Sequence, residues 1–272
     1  MKNTSPWILA VLVCLAAGNL PAVSPTTRAA APSGPRTGMS RAVPREFGVD
    51  GVLNLGPLTK LEVPEGVVAI KAELNSESGW HLGNIDSLVL PSTLRIIGRE
   101  AFQGCRELKS VVIPEGVEEL GDGAFSDCTK LESVTLPSTL VKLGEEAFSG
   151  CSALKTIRVP GHVRMVGVKA FSGCKSLRKV TLDEGVAALG QEAFWGCERL
   201  RAVPLPTTLR TIGKEAFWGC DLWELDLPDG LESIGREAFA TAEVLQIVTT
   251  PRMTRIDPTA FHPSCRVVRD RR

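Results

Sequence analysis

Hydrophobic positions recur along most of this 272-residue chain on one fixed beat. Phenylalanine marks it: Phe102, Phe125, Phe148, Phe171, Phe194 and Phe217 stand 23 residues apart, and Phe239 and Phe261 follow at steps of 22. Within one beat, Leu131, Val134 and Leu136 are apolar, Pro137 follows, Leu140 and Leu143 are apolar again, and Ala147-Phe148 closes the unit. Around Val134 the pattern alternates, with Val134 and Leu136 inward and Ser133 and Thr135 outward, which predicts a short half-buried strand. A self-similar period of this length means stacked coils whose strands lie parallel, not one central core.

The punctuation between apolar positions is equally regular. Proline closes the strand at Pro91, Pro114, Pro137, Pro160, Pro206, Pro228 and Pro251, with Asp183 as the exception, and it stops the ladder because it has no N–H to donate. Five residues before each Phe stands an aliphatic, from Ile97 and Leu120 to Ile256, and glycine follows seven of them, among them Gly98, Gly121 and Gly144. Glycine there predicts a tight turn with positive φ. Two mostly charged residues come next, such as Glu145-Glu146, then Ala-Phe; this stretch reads as a short helical turn on the outside with Ala and Phe facing in.

The composite Leu-x-x-Val-x-Leu-Pro-x-x-Leu-x-x-Ile-Gly-x-x-Ala-Phe-x-Gly-Cys resembles the 23-residue leucine-rich repeats of the BspA-like class, over residues 58 to 265. The resemblance implies a right-handed leucine-rich repeat solenoid with one short parallel β-strand and a turn or short helical segment per coil. It also implies a non-catalytic module, secreted or on a cell surface, that adheres to proteins or other surfaces. The alternative is a structural or scaffold repeat protein in an organelle or envelope.

The ends break the beat. Residues 1–24 read as a secretory signal peptide: Lys2 is followed by the apolar run Trp7 to Ala17 and then by small residues, and the run is too short for a bilayer span. Residues 25–46 are rich in Pro, Ser, Thr, Ala and Arg and read as a disordered linker. An organelle-directing second half of a bipartite targeting segment is the alternative, since no acidic residue precedes Glu46. The solenoid is expected over 47–265 with atypical caps, the N-terminal one from Phe47 to Leu82, and 266–272 reads as a basic tail. One residue is missing between Cys220 and Leu222, which predicts a local kink or bulge.

Charge and chemistry add little to this picture. Thirty-one basic residues balance 31 acidic ones, so no net field favours nucleic acid. Six cysteines, Cys105, Cys128, Cys151, Cys174, Cys197 and Cys220, share one repeat position and lie in a row, where metal binding would need them to converge. Neighbouring parallel coils also set their Cβ atoms too far apart for easy disulfides, so a ladder of buried free thiols is expected. His81, His162 and His262 sit in different units with no recurrent nucleophile, and neither a cofactor site nor catalysis is expected.

Two outward surfaces remain as candidate sites for a protein or glycan partner. Trp195 and Trp218 occupy a slot that holds Gln103, Ser149 and Ser172 elsewhere, and Trp223 aligns with outward Arg201 and Arg178; together they could form an aromatic platform or simply pack on one another. The outward strand row includes Thr135, Arg158 and Thr181 with Ser110, Val112, Ser133, Thr156, Lys179, Glu224 and Asp226. A monomer without a transmembrane span is expected. N-terminal sequencing of exported protein should begin just after Gly18 or near Ser24; a sequence starting at Met1 contradicts the signal peptide.

Overall fold

In the computed structural model, which describes residues 46–47, 59–71 and 82–269, each repeat closes into one coil of a parallel β-solenoid. The expected signal peptide, nearly all of the linker and the inserted part of the N-terminal cap lie outside the described residues. The predicted strand is present at Ser110–Val112, Ser133–Thr135, Thr156–Val159 and Lys179–Leu182, which form one four-stranded sheet. Its register follows the repeat, pairing Ser110 with Ser133, Ser133 with Thr156 and Thr156 with Lys179. Farther on, Pro204 takes a strand position without an N–H to give, and the ladder shrinks to a single Ala202–Glu224 bridge.

Each coil also carries a second strand that the sequence pattern does not signal. Among the described residues, ten two-residue strands, from Glu46–Phe47 to Arg255–Ile256, form one long parallel sheet. Two residues are too few to alternate, so only the inward aliphatic shows in the sequence. Those aliphatics, Ile97, Leu120, Leu143, Val166, Leu189, Ile212 and Ile234, are all buried.

The third side departs from expectation, because the segment around Ala-Phe is not helical. Its backbone N–H groups alternate between two kinds of acceptor. Ala101, Gln103 and Cys105 bond three residues back to Gly98, Glu100 and Phe102, while Glu100, Phe102 and Gly104 reach Asp122, Ala124 and Ser126 of the next coil at 2.7–2.8 Å. The segment is thus a staircase of turns and an inter-coil ladder at once. Such alternation needs a left-handed residue before each alanine, and Glu100, Glu146, Lys169, Glu192, Glu215 and Glu237 hold φ of 53–56° there. Only one coil places glycine at this point, Gly123 at φ 62°. Each non-glycine residue so held costs about 1–2 kcal/mol, which the ladder bonds on either side offset.

The recurrent glycine after the aliphatic has a different cause from the one the sequence suggests. Gly144 and Gly167 do not have positive φ. They are glycine because a Cβ on Gly144 would lie 2.5 Å from the carbonyl carbon of Gly121, and one on Gly167 would lie 2.5 Å from the carbonyl oxygen of Gly144. Backbone touches backbone at this corner. The positive φ of 69–78° belongs instead to the glycine of Ala-Phe-x-Gly-Cys at Gly104, Gly150 and Gly219.

The phenylalanines form a continuous column inside. Ring centroids from Phe102 to Phe261 follow one another at 5.2–5.7 Å with interplanar angles of 1–23°. The residue missing after Cys220 is absorbed in the turn: Leu222 is buried like Leu200, Trp223 N–H bonds Arg201 O at 3.0 Å, and the long sheet continues from Thr211 to Ser233. The segment read as a basic tail contributes Arg266–Arg269, an exposed strand paired with Ile247–Thr250. In thermal denaturation, Phe148→Ala should cost about 3–5 kcal/mol and Gly167→Ala about 1–3 kcal/mol, while Ser149→Ala stays within about 0.5 kcal/mol. Equal melting temperatures for the three would contradict this packing.

Candidate interaction surface

The thiol row is built into the core. All six repeat cysteines are free and buried, and each from Cys128 to Cys220 donates its S–H to a carbonyl of the preceding coil, as Cys151 does to Phe125 O at 3.2 Å and Cys174 to Phe148 O at 3.3 Å. Burial pushes the Cys174 thiol up to about 12 and raises those of Cys151 and Cys197 well above the ordinary value. A thiol held protonated is a poor nucleophile and a poor metal ligand. Among the described residues no three or more His, Cys, Asp or Glu side chains converge on a metal position. His162 Nδ1 lies 3.0 Å from Ser138 O, and His262 Nδ1 meets both the hydroxyl and the N–H of Ser264 at 2.7 and 3.2 Å, the closure of a local turn.

Of the three tryptophans, the structure brings two together. Trp195 and Trp218 stack with centroids 5.2 Å apart and planes 7° from parallel, outside the phenylalanine column and on its spacing. Both are 36% exposed, whereas the phenylalanine beside each is fully buried. Trp223 is not part of this pair. It lies at the start of the strand side, 57% exposed, with the Arg201 guanidinium 5.2 Å above its ring.

The strand row is a separate surface. Arg158 pairs with Thr181 in register, and the Ser133–Thr156 pairing two residues earlier sets Arg158 beside Thr135. Thr135 is exposed and Thr181 half-buried. Arg158 is committed: its Nε–H bonds Asp183 at 3.0 and 3.1 Å. Asp183 is the one exception in the proline row, and this bond is what it does there.

A further set of contacts escapes any reading that averages the repeats. The two residues after the proline alternate between Glu-Gly and Ser/Thr-Thr. Glu65, Glu115 and Glu184 accept from the backbone N–H and the hydroxyl of Ser92, Ser138 and Thr207 in the following coil. Beside each, the glycine N–H donates to Thr93, Thr139 or Thr208, whose hydroxyl passes its own proton to Val67, Val117 or Val186 O. The Thr207 N–H, and then its hydroxyl, hold the Glu184 carboxyl below the usual carboxylate range. Alternate Glu-Gly and Ser/Thr-Thr pairs in the sequence were the available signal. The order runs Glu-Gly, Ser-Thr, Glu-Gly, Ser-Thr, then Gly161-His162, then Glu-Gly, Thr-Thr and Asp-Gly, and ends at Arg252-Met253.

The BspA type leucine-rich repeat region matches residues 72–201 and 166–268, in six copies. The chain belongs to this family. Among solved structures, this BspA-type chain is similar to a leucine-rich cell-surface protein of Faecalibacterium prausnitzii, 26% identical over 81% of this chain and 68% of that one, with a TM-score of 0.51. It is also similar to a leucine-rich repeat protein of T. pallidum, 30% identical over 61% of this chain and 78% of that one, with a TM-score of 0.56. A leucine-rich repeat protein of Eubacterium ventriosum, 22% identical over 64% of this chain and 46% of that one, shares the fold with a TM-score of 0.55. No curated protein matches the chain. Repeat modules of this kind are ordinarily non-catalytic, and among the described residues no helix is long and apolar enough to cross a membrane. Under non-reducing native conditions a thiol reagent should label Cys265, which is partly exposed, before any of the six buried cysteines, and denaturant should release those six. Six bridged thiols would overturn the ladder.

Proposed function

We propose that this chain is a non-catalytic recognition module, exported to the cell surface or beyond, that holds a protein or glycan partner on one face of its solenoid. The observation that carries the reading is the Trp195–Trp218 stack. The phenylalanine column is already continuous beneath it, so the coils need no second aromatic pair there. Other coils fill the same slot with Gln103, Ser149 or Ser172. Two large amphipathic rings left partly in water, each with an indole N–H, are what a buried anchor of an interface looks like before its partner arrives. The small residues flanking the pair in this row, Ser172 before and Ala240 after, leave the outer ring faces beside short side chains.

Trp223 over Arg201, and the row Thr135, Arg158 and Thr181, supply further contacts on the strand side of the same coils or nearby ones. The likeness to a leucine-rich cell-surface protein supports export, as does the signal-like N-terminus. The test uses tryptophan fluorescence and binding to immobilised matrix proteins and an array of neutral and acidic oligosaccharides. Replacing Trp195 and Trp218 together by alanine should abolish binding to whichever probe the parent protein retains, with the melting temperature lowered by no more than a few degrees. Unchanged binding in that double variant overturns the role given to the pair.

A further inference from the structure

The alternation of Glu-Gly and Ser/Thr-Thr coils breaks inside the stack at Gly161-His162, ahead of its end at Arg252-Met253, and a notch opens at the first break on a different side from the tryptophans. Its volume is about 520 Å³, and its lining includes Val141, His162, Arg164, Gly185, Ala187 and Arg210. At the outward position that begins each corner, successive coils present Glu118, Val141, Arg164, Ala187, Arg210 and Glu232. They are true neighbours: Ala187 N–H bonds Arg164 O and Arg210 N–H bonds Ala187 O, both at 2.8 Å. The backbones of the two arginines therefore stand two coils apart, about 9.6 Å along the solenoid axis, with the coil of Gly185 and Ala187 between them.

The two cations differ in a useful way. Arg210 is held in place, its Nη1 donating to Thr207 O at 2.9 Å and Leu209 O at 3.1 Å and lying over Gly230, where a Cβ would strike it. A guanidinium so pinned still has donors to spare. Arg164 is exposed and, among the described residues, has no acidic partner. Glu184, next to the notch glycine Gly185, is committed to Thr207 and Thr208. Thr208 is committed too, since its hydroxyl accepts from Gly185 and donates to Val186 O. What the notch offers a ligand is the exposed Arg164 guanidinium, the His162 ring and the pinned Arg210 around a floor of Val141, Gly185 and Ala187, with Glu118 and Glu232 at the outer ends of the row.

We propose that this notch binds an acidic peptide segment in an extended, polyproline-like conformation, with two carboxylates three residues apart, laid along the solenoid axis. A polyproline helix repeats every three residues and rises about 3.1 Å per residue, so side chains at i and i+3 share a face about 9.3 Å apart, close to the spacing of the two arginine positions along the backbone. The floor of Val141, Gly185 and Ala187 accepts the aliphatic turns between the carboxylates. A glycan fits less well, because the notch offers a sugar ring only the His162 imidazole, which is itself bonded to Ser138 O, and its Thr208 hydroxyl is already bonded. The glutamates at the outer ends limit the acidic stretch to two charges and favour neutral or basic flanks.

The test is fluorescence anisotropy at low ionic strength with labelled Ala-Pro-Glu-Pro-Pro-Glu-Pro-Ala, against Ala-Pro-Pro-Glu-Glu-Pro-Pro-Ala of equal charge. The first peptide should bind more tightly, and added salt should weaken it. Arg164→Gln, which removes an exposed side chain with no acidic partner, should weaken binding about tenfold at an unchanged melting temperature. Ala187→Glu, which places a carboxylate between the arginines, should abolish it. The Trp195, Trp218 double alanine variant should bind the peptide as the parent does, which separates this site from the aromatic pair. No binding of either peptide, or equal binding by Arg164→Gln and the parent, overturns the proposal. So does Arg164-dependent binding of a sulfated oligosaccharide in place of the peptide.

Discussion

Backbone hydrogen bonds run from coil to coil on every side of this solenoid, and they hold neighbouring coils so near that a side chain facing the next coil must be absent, flat or small. At the corner after seven of the aliphatics it is absent, and glycine backbone touches backbone, as at Gly144 and Gly167. In the middle it is flat, and phenylalanine rings stack at 5.2–5.7 Å. Beside the phenylalanines it is small, and the cysteine S–H finds a carbonyl of the coil behind. These three solutions to one spacing account for most of the recurrent residues. A larger residue at any of them would push apart bonds on all sides, because a packed interior does not yield locally.

The columns were legible in the sequence because each is written once per coil, and a mistake in register would turn Phe148 and Ser149 around. The two-residue strands of the long sheet were not, since alternation needs more positions than Ile96-Ile97 provides. Nor was the left-handed backbone at Glu146 and Glu215: glutamate carries no turn signature, and the inter-coil ladder imposes the conformation from outside. Glycine misled for a related reason. Its use as the residue of positive φ is the commoner one, but at Gly144 the constraint is the distance to Gly121. For the surface, the repeat alignment placed the tryptophans outward and in adjacent coils. It could not place Trp223 around the coil relative to Trp218, and the structure assigns it to Arg201.

A surface generated by repetition is uniform, and uniform surfaces discriminate poorly. Inter-coil ion pairs such as Glu107 with Lys130 and Glu119 with Lys142 repeat from coil to coil and contribute little energy each in water. Distinctness comes from the positions where one coil differs from its neighbours without any demand from the core. The paired indoles are one such place and the notch beside Arg164 is another, on separate sides of the same stack. Both sit in coils whose interior columns are unperturbed, so each can vary without risk to the fold.

The hydrogen-bonded clasp between a Glu-Gly coil and the Ser/Thr-Thr coil after it makes the building block of this protein larger than its sequence period. Two 23-residue coils, 46 residues in all, form the smallest segment that can be duplicated or lost with every neighbour still meeting its proper partner. Against that unit, the coil carrying Gly161 and His162 is a supernumerary one. Excising it on paper restores an unbroken alternation from Glu65 to Gly230. The coil of Gly161 and His162 carries neither half of the clasp, so its wall is the one place inside the stack where that side is not clasped to a paired neighbour.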